Sequence, residues 1–279
     1  MRRLSVPKVS AKSAYLTCIS SVVQTGLKNR LEDATDSVVA ASRDFDRAAR
    51  SENLHEYEPQ DIGGFSFNSN DLVRVYEERM VKKGSSGRWI YDEILSSPSN
   101  RRCPLCFHRE VSTLDHHLDK ASFPLLSVVP LNLVPACKDC NYAKLSFNPT
   151  HQEEQTIHPY YDDVNDAIWL SAKVIEEKPA AMEFYFQKPA DWNVLKSNRV
   201  EHHFKLFNLR SLYSSNANNE LQNIRYQYSQ LLKSSGQEAL GDVLRIAAES
   251  RERVALNSWQ AATYRELSTN EWYLAGSAF

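Results

Sequence analysis

Two CxxC pairs constrain the fold of this chain more than any other feature of its sequence. The first pair is Cys103 and Cys106 in the segment CPLC, and the second is Cys137 and Cys140 in CKDC. Four thiolates in two such pairs are a usual ligand set for a closed, tetrahedral structural zinc site. A secreted disulfide framework would need denser cysteines and an apolar signal segment, which MRRLSVPKVSAKSAYLTC does not provide. The alternative, four unrelated reduced thiols, is disfavoured by the regular pairing.

The segment between the two pairs, residues 107–136, holds 30 residues, more than the roughly 15–20 of a simple zinc finger. VSTLDHHL has a hairpin-like alternation that predicts a short strand, with Val111, Thr113 and Asp115 alternating with Ser112, Leu114 and His116. KASFPLLSVVPLN then reads as a loop, and LVPACKDCNYAK as a second short strand followed by a helix. We therefore predict a strand–loop–strand–helix unit closed by zinc, whose binding free energy stabilises the folded state.

The flanking sequence predicts an α+β fold that is mostly helical. Residues 11–55 and the chain from residue 216 onward have helical periodicity, whereas AMEFYF alternates as a strand does. We divide the chain into an N-terminal helical region at 1–68, a core with the cysteine pairs at 69–150 and a mainly helical C-terminal region at 151–279. The zinc site is thus embedded between two helical regions.

Charge and hydropathy limit the classes of function. The chain has 33 basic and 35 acidic residues, a formal net charge of -2, so any basic surface for nucleic-acid phosphates must be local. No apolar run approaches the roughly 20 residues that span a bilayer. We therefore expect a cytoplasmic protein that makes no use of a membrane.

The stretch LDHHLDK…PLNLVPACKDCNYAK resembles the HNH endonucleases, which have the ββα-metal or His-Me finger fold, in their zinc-ribbon form with four cysteines. The resemblance is strong over residues 101–150 and looser on either side. It has one departure: Asp119 stands where proline is common in such motifs. The path of the loop after the two histidines is therefore left open.

The resemblance implies a role for each of four residues. His116 matches the first histidine of the motif, the general base that takes a proton from the attacking water. Asp115 matches a ligand of the catalytic divalent ion, and Asn132 matches the middle asparagine that steadies the loop and the orientation of the base. Asn141 stands where the family has its last histidine or asparagine, a second ligand of the catalytic ion.

The chemistry of phosphodiester hydrolysis fits these residue types. The reaction needs a water nucleophile, a base with a pKa near neutrality and a cation that stabilises charge on the phosphoryl and leaving oxygens. Histidine is the side chain whose ordinary pKa lies in that range, and carboxylate and amide oxygens are ligands suited to Mg²⁺ or Mn²⁺. The chain therefore separates a structural zinc from a catalytic Mg²⁺ or Mn²⁺.

Two neighbouring residues are auxiliary candidates. His117 competes with His116 for the role of base, but adjacent strand residues point to opposite faces, so only one of them can face the catalytic ion. His117 then has a packing role or contacts a phosphate. Lys144 lies three residues after Asn141 on the same helix face. It either contacts a phosphate of the substrate or is a solvated helix lysine.

The leading functional hypothesis is a metal-dependent HNH endonuclease that cleaves DNA. The alternatives are an RNA nuclease and a zinc-stabilised binding module for nucleic acid or protein that has no catalytic activity. The overall layout resembles HNH components of bacterial anti-phage defence systems, such as Septu-like pairs, that work beside an ATPase. An ATPase partner is therefore expected and a homo-oligomer remains open, against the simpler view that the flanks complete a stable monomer.

Overall fold

The chain folds as two units that meet in sequence between Asp163 and Val164. The structure is a computed structural model that describes residues 2–60 and 62–279. Its architecture is α+β, with helices and two separate two-stranded antiparallel sheets. Both boundaries drawn from the sequence, at residues 68 and 150, lie inside the first unit, which holds both CxxC pairs and the segment between them.

The helices of the first unit wrap the segment that carries the cysteines. They are Ala11–Ile19 (α1), Thr25–Asp33 (α2), Thr35–Arg50 (α3), Ser69–Arg74 (α4), Arg88–Ser96 (α5) and Lys138–Lys144 (α6). In α3 the buried residues include Val38, Ala41, Phe45 and Ala49, spaced three or four apart as one face of a helix requires. That face packs inward, and the arginines of the same helix remain outside.

Helix α4 continues directly into a π-helix at Val75–Val81. The side chain of Asn68 begins α4 by accepting a hydrogen bond from the backbone N–H of Asp71 at 2.9 Å. The carboxylate of Asp71 binds the guanidinium of Arg30 through two hydrogen bonds of 3.0 and 3.2 Å. These contacts fix α4 against α2 and hold the π-helix, including Tyr76, beside the first sheet.

The first sheet pairs Thr113–His116 (β1) with Leu133–Ala136 (β2) in antiparallel register. Thr113 lies opposite Ala136, and His116 opposite Leu133. The connection between the strands contains two single-turn 3₁₀ helices, Pro124–Leu126 and Pro130–Asn132. The order strand, loop, strand and helix α6 therefore agrees with the order that the sequence predicts for this segment.

The core of the first unit lies directly beneath this sheet. Leu114, Leu118 and Leu133 belong to one buried cluster with Phe45 of α3 and Met80 of the π-helix. All five side chains are almost fully removed from solvent. Because such cores are close-packed, the strands and their connecting loop are held on a rigid base.

The second unit contains one sheet and four helices. Its elements are Leu170–Ile175 (β3), Ala181–Phe186 (β4), Val194–Leu206 (α7), Leu209–Glu252 (α8), Trp259–Leu267 (α9) and Glu271–Leu274 (α10). Strand β4 confirms the strand predicted from AMEFYF, with Met182 and Phe184 buried. The amide oxygen of Asn257 accepts hydrogen bonds from the backbone N–H groups of Trp169 and Leu170 at 2.9 and 3.2 Å, which fixes the start of β3.

Helix α8 is the longest element, with 44 residues. Gly236 interrupts it with φ 84° and ψ 179°, values that favour glycine because it has no Cβ. The element is therefore two helices joined at a kink. Within residues 2–60 and 62–279, neither α8 nor any other helix has the length and apolar character that crossing a membrane requires.

Candidate functional site

The four paired cysteines lie together and are buried. The Sγ atoms of Cys103, Cys106, Cys137 and Cys140 are all within 4.8 Å of one another, and none of these residues is in a disulfide. The Sγ atoms of Cys106 and Cys137 are 4.0 Å apart. Four sulfurs that each bind zinc at about 2.3 Å form a tetrahedron with edges of about 3.8 Å. The cluster is therefore compatible with a four-cysteine metal site, as the spacing in the sequence predicts.

Each CxxC pair is shaped by backbone hydrogen bonds. In the first, the N–H of Phe107 donates to the carbonyl of Cys103 at 2.7 Å, and Phe107 has φ 50°. In the second, Cys137 precedes α6, and its Sγ accepts from the N–H of Cys140 at 3.4 Å. The N–H of Arg109 donates to the Sγ of Cys106 at the same distance. Donors to ligand sulfurs orient them and stabilise their negative charge.

The ionisation of the four thiols supports the same interpretation. A hydrogen bond from Cys103 holds the pKa of the Cys106 thiol well below its ordinary range. Hydrogen bonds among the thiols, together with burial, raise the pKa of Cys140. A hydrogen bond with Cys103 also lowers the pKa of Cys137, whereas hydrogen bonds with Cys106 and Cys137 raise the pKa of Cys103. The cluster thus resists the loss of all four protons. A divalent cation removes that resistance, because zinc binds all four sulfurs as thiolates.

An open pocket of about 840 Å³ lies beside β1 and α6. Asp115, His116 and Asn141, three of the four residues with implied catalytic roles, line it together. Its other polar lining residues include Glu77, Ser112, Thr113, Asp119, Lys120 and Lys138. The structure therefore gathers these residues at one concave surface, separate from the buried sulfur atoms of the cysteine cluster.

The imidazole of His116 is held in one orientation. Its Nε2 lies 2.8 Å from the carbonyl oxygen of Ser127, and the ring packs edge-on to Tyr76 with centroids 4.4 Å apart. Because a carbonyl can only accept, Nε2 carries the proton and Nδ1 of the neutral ring is unprotonated. Burial lowers the pKa of His116 to about 4, below the near-neutral value expected from the sequence. The ring is therefore neutral at neutral pH.

Asp115 forms a buried ion pair with Lys144. The Nζ of Lys144 is 3.7 Å from Oδ2 of Asp115 and donates a 2.7 Å hydrogen bond to the backbone carbonyl of His116. Burial raises the pKa of Asp115 to about 6, and the charge of Lys144 opposes this shift. Lys144 is only 3% exposed, so the expectation of a solvated helix lysine is wrong. Its cation instead joins α6 to the end of β1.

His117 lies away from the pocket. Its ring packs against that of His158 with centroids 4.2 Å apart, and its backbone N–H donates to the carbonyl of Asn132 at 2.8 Å. His158 lies close to the 3₁₀ helix that precedes β2, since its Nε2 is 3.2 Å from the carbonyl oxygen of Leu131. The two adjacent histidines therefore have different surroundings: His116 ends β1 and lines the pocket, whereas His117 lies beyond the strand.

Asn132 is fully buried and closes the loop between β1 and β2. Its side-chain oxygen accepts from the N–H of Leu118 at 2.8 Å, and its amide nitrogen donates to the carbonyls of Leu118 at 2.9 Å and Leu126 at 3.4 Å. The amide does not line the pocket. It holds the two ends of a loop that also contains Ser127, and so it acts on His116 through the backbone.

Asp119, the residue that departs from the family pattern, gives the loop after the two histidines a defined path. One carboxylate oxygen accepts from the N–H groups of Ala121 and Ser122 at 2.9 and 3.1 Å. The other accepts from the side-chain amide of Asn148 at 2.5 Å. Burial raises the pKa of this carboxyl, but these hydrogen bonds outweigh burial and hold it below its ordinary value. The hydrogen bonds of Asp119 thus fix the turn at a position where a proline would fix it through its restricted φ angle.

Sequence reasoning did not identify Ser127 or Tyr76 as parts of the site. Ser127 contributes a backbone carbonyl, which any residue type would supply, so no sequence signal marks it. Tyr76 comes from the π-helix about 40 residues before His116 in the chain, and only the tertiary fold brings the two rings together. Asn148 follows α6 by four residues, and its proximity to Asp119 likewise depends on how the chain folds back.

Comparison with known proteins identifies one distant relative. The chain is 26% identical to Protein ea31 of Escherichia phage lambda over 298 aligned residues, covering 99% of this chain and 100% of the phage protein. No protein-family model matches the chain, and no solved structure matches it. The name of the phage protein states no activity, so the function of this chain has to be argued from its site.

Proposed function

We propose that this protein is a metal-dependent endonuclease of the HNH type that hydrolyses phosphodiester bonds in DNA. The observation that carries the proposal is the placement of His116, which lines an open pocket with Asp115 and Asn141 while its Nε2 is held by the carbonyl of Ser127. A base that is oriented before substrate arrives needs no reorganisation during the reaction. This arrangement supports a catalytic role more than a role in packing.

The chain's residues divide the work of hydrolysis among them. Nδ1 of His116 takes the proton of the attacking water, and the hydrogen bond from Nε2 to Ser127 fixes the ring while it does so. The carboxylate of Asp115 and the amide oxygen of Asn141 are suited to hold Mg²⁺ or Mn²⁺ in the pocket. Such an ion stabilises negative charge on the phosphoryl and leaving oxygens. Lys144 and Asn132 are positioning residues, since each binds backbone or side-chain atoms next to the base.

A basic groove of about 680 Å³ in the first unit supports a nucleic-acid substrate. It is lined by cationic side chains from the N-terminal segment, from α1 and from α3, namely Lys8, Lys12, Arg43, Arg47 and Arg50. Asp46, the one acidic residue lining the groove, pairs with Arg50 at 2.9 Å. The formal charge of the whole chain is -2. The groove is thus a local basic surface of the kind that binds phosphate backbones.

The central experiment incubates the purified full chain with plasmid DNA and, separately, with RNA, in Mg²⁺, Mn²⁺ or EDTA. We expect cleavage of DNA that requires the divalent ion and disappears in His116→Ala. The matched variant is His117→Ala, because the neighbouring histidine lies away from the pocket. Zinc content and the unfolding temperature of both variants are measured alongside, so that loss of activity is separated from loss of fold.

Three other outcomes would redirect the proposal. Cleavage of RNA alone would establish an RNA nuclease. Full activity in His116→Ala with loss in His117→Ala would transfer the role of base to His117. Binding of nucleic acid or protein without cleavage under any condition would favour a zinc-stabilised binding module.

The basic groove provides a separate test of the substrate class. Arg43→Ala combined with Arg47→Ala should weaken binding to a DNA duplex and reduce the salt dependence of its affinity, since fewer counterions are released. Arg245→Ala is the matched control, because Arg245 is an exposed helical arginine with acidic partners on its own helix, α8. Equal affinity and equal salt dependence in the two variants would show that the groove does not bind the DNA backbone.

We also propose that the protein works with an ATPase partner in a bacterial anti-phage defence complex. The proposal rests on the resemblance of the layout to Septu-like pairs, and exposed apolar residues in the second unit support a protein-binding surface. Ile246 of α8 and Val254 after it are 58% and 75% exposed. Co-purification with the product of the neighbouring gene, with masses from light scattering, tests it. A monomer that cuts DNA rapidly without any partner would contradict it.

A further inference from the structure

Two large apolar side chains on one edge of the His116 pocket remain exposed. Tyr142 of α6 is 73% exposed, and Leu145, directly after α6, is 62% exposed. Both line the pocket together with Asn141. Exposed apolar residues at the edge of a concave site mark a surface that binds a ligand, and neither proton transfer nor metal binding needs them. The reaction proposed above therefore leaves them unexplained.

The ring of Tyr142 differs from the other aromatic rings of the pocket. Tyr76 and Tyr91 are each 7% exposed, and the ammonium group of Lys120 lies 5.2 Å from the centre of the Tyr76 ring. These two rings form the wall of the pocket. Tyr142 instead offers its ring to solvent, one residue after Asn141. An open aromatic face next to the proposed metal ligand Asn141 fits a nucleobase, because every base can stack on it.

Leu145 has a strained backbone conformation at this edge of the pocket. It has φ 44° and ψ -123°, in a region that residues with a Cβ rarely adopt. Its N–H still bonds to the carbonyl of Asn141 at 3.0 Å, so the strained residue closes α6. Backbone strain at an exposed apolar residue beside a pocket points to a role in binding. Leu145 would flank a base that lies against Tyr142.

We propose that the pocket binds an unpaired nucleotide next to the scissile phosphate, with its base stacked on Tyr142 and bordered by Leu145. The substrate class is therefore single-stranded or locally unpaired DNA, since a base inside a duplex is stacked on both faces and cannot cover the ring. This inference rests on the proposed nuclease function. The pocket volume of about 840 Å³ lies within the range of about 300–1,000 Å³ that is usual for ligand sites.

The test compares three DNA substrates of one sequence: a single strand, an intact duplex and a duplex with a central mismatched bubble. Cleavage in Mg²⁺ is measured for the wild type, Tyr142→Ala, Tyr142→Phe and Tyr226→Ala. Tyr226 is the matched control because it is an exposed helical tyrosine, at 76%, in the second unit. Binding is measured separately with a single strand that carries the fluorescent base 2-aminopurine, in the His116→Ala background.

We expect the wild type to cut the single strand and the bubble in preference to the duplex. Tyr142→Ala should lower kcat/KM on the first two substrates by about 5- to 150-fold, the range for loss of one base–aromatic stack. Tyr142→Phe should stay close to the wild type, because it keeps the ring. The quenching of 2-aminopurine on binding should likewise be lost with alanine and kept with phenylalanine.

The outcomes separate this inference from the proposed function. Preference for intact duplex, or equal effects of Tyr142→Ala and Tyr226→Ala, would overturn the stacking role even if cleavage depends on His116. Absence of cleavage in the wild type would overturn the nuclease function, and the quenching measurement would then still decide whether Tyr142 binds an unpaired base. If the Tyr142→Ala protein bound the single strand as tightly as the protein that keeps Tyr142, the stacking role would be rejected. The exposed ring would then be assigned to contact with a protein partner.

Discussion

Asn132 and Leu118 exchange two hydrogen bonds across the loop that joins β1 to β2. The N–H of Leu118 donates to the side-chain oxygen of Asn132 at 2.8 Å, and the side-chain nitrogen of Asn132 donates to the carbonyl of Leu118 at 2.9 Å. The side-chain amide of Asn132 thus makes the same pair of hydrogen bonds to Leu118 that a residue of a neighbouring antiparallel strand would make through its backbone. It fixes the end of β1, where His116 lies, to the end of the loop that contains Ser127.

Asn132→Ala should destabilise the first unit and reduce cleavage at the same time. The substitution leaves the buried N–H and carbonyl of Leu118 without the partners that Asn132 supplies, at about 1–3 kcal/mol for each group, so the free energy of unfolding should fall by about 2–6 kcal/mol. Urea unfolding and cleavage rates at a temperature where the variant is folded measure the two effects. A fully active variant of normal stability would show that the loop holds without these bonds.

The four-cysteine cluster should bind one zinc ion per chain. Cys103→Ser and Cys140→Ser should each lose that ion and lower the unfolding temperature, because binding of zinc contributes to folding. Cys18→Ala is the control, since Cys18 is buried but lies outside the cluster. Metal analysis of the purified chains checks this. Folded wild type with well under one zinc per chain would contradict the prediction.

Lys144→Met should be more harmful alone than in combination with Asp115→Asn. The single substitution leaves a buried carboxylate without its cation, and breaking a buried ion pair costs about 3–5 kcal/mol. The double variant removes both charges and should recover part of that stability while remaining inactive, because Asp115 is the proposed metal ligand. Chemical denaturation of all four proteins gives the coupling. Additivity within about 0.5 kcal/mol would show that the pair does not interact.

The hydrogen bonds to Asp119 predict a specific dependence of stability on pH. The folded pKa of this carboxyl lies below its ordinary value, which is about 3.9 in an unfolded chain. Its contribution to stability is therefore complete above that value and is lost as pH falls through the lower folded pKa. The difference in unfolding free energy between wild type and Asp119→Asn should be steady near neutrality and shrink below about pH 4.

Glu58→Gln is the control for this measurement, because Glu58 is an exposed loop residue of the same unit. A difference between wild type and Asp119→Asn that grows as the solution becomes more acidic would reverse the assigned sign. The same result would also remove the argument that Asp119 replaces a proline in this loop.

Local patterns predicted the features that depend on few residues. The cysteine spacing predicted the cluster, because each CxxC pair forms within one turn of chain and coordination leaves little freedom. The alternation of Met182, Phe184 and Phe186 predicted β4 because strand periodicity is local. The order of strand, loop, strand and helix between the cysteines followed from similarly short stretches.

The contacts that shape the site were outside the reach of such patterns. Lys144 is buried because it meets Asp115 and the carbonyl of His116, 28 residues earlier in the chain. Tyr76 reaches His116 from a π-helix, a rare element that hydrophobic periodicity does not reveal. Side-chain burial of this kind depends on how distant segments pack, so the sequence left Lys144 open between a phosphate contact and a solvated helix lysine and did not predict its burial.

The orientation of His116 depends on the carbonyl of Ser127, an atom that no side-chain substitution removes. A systematic mutational scan would therefore measure only the loss of the Ser127 hydroxyl, which donates to the carbonyl of Pro124 at 2.7 Å. It would give no information about the orientation of His116. The dependence becomes visible only through ester-for-amide exchange or semisynthesis that alters the main chain. In genetic screens, the most direct determinant of the orientation of His116 would appear as a replaceable serine.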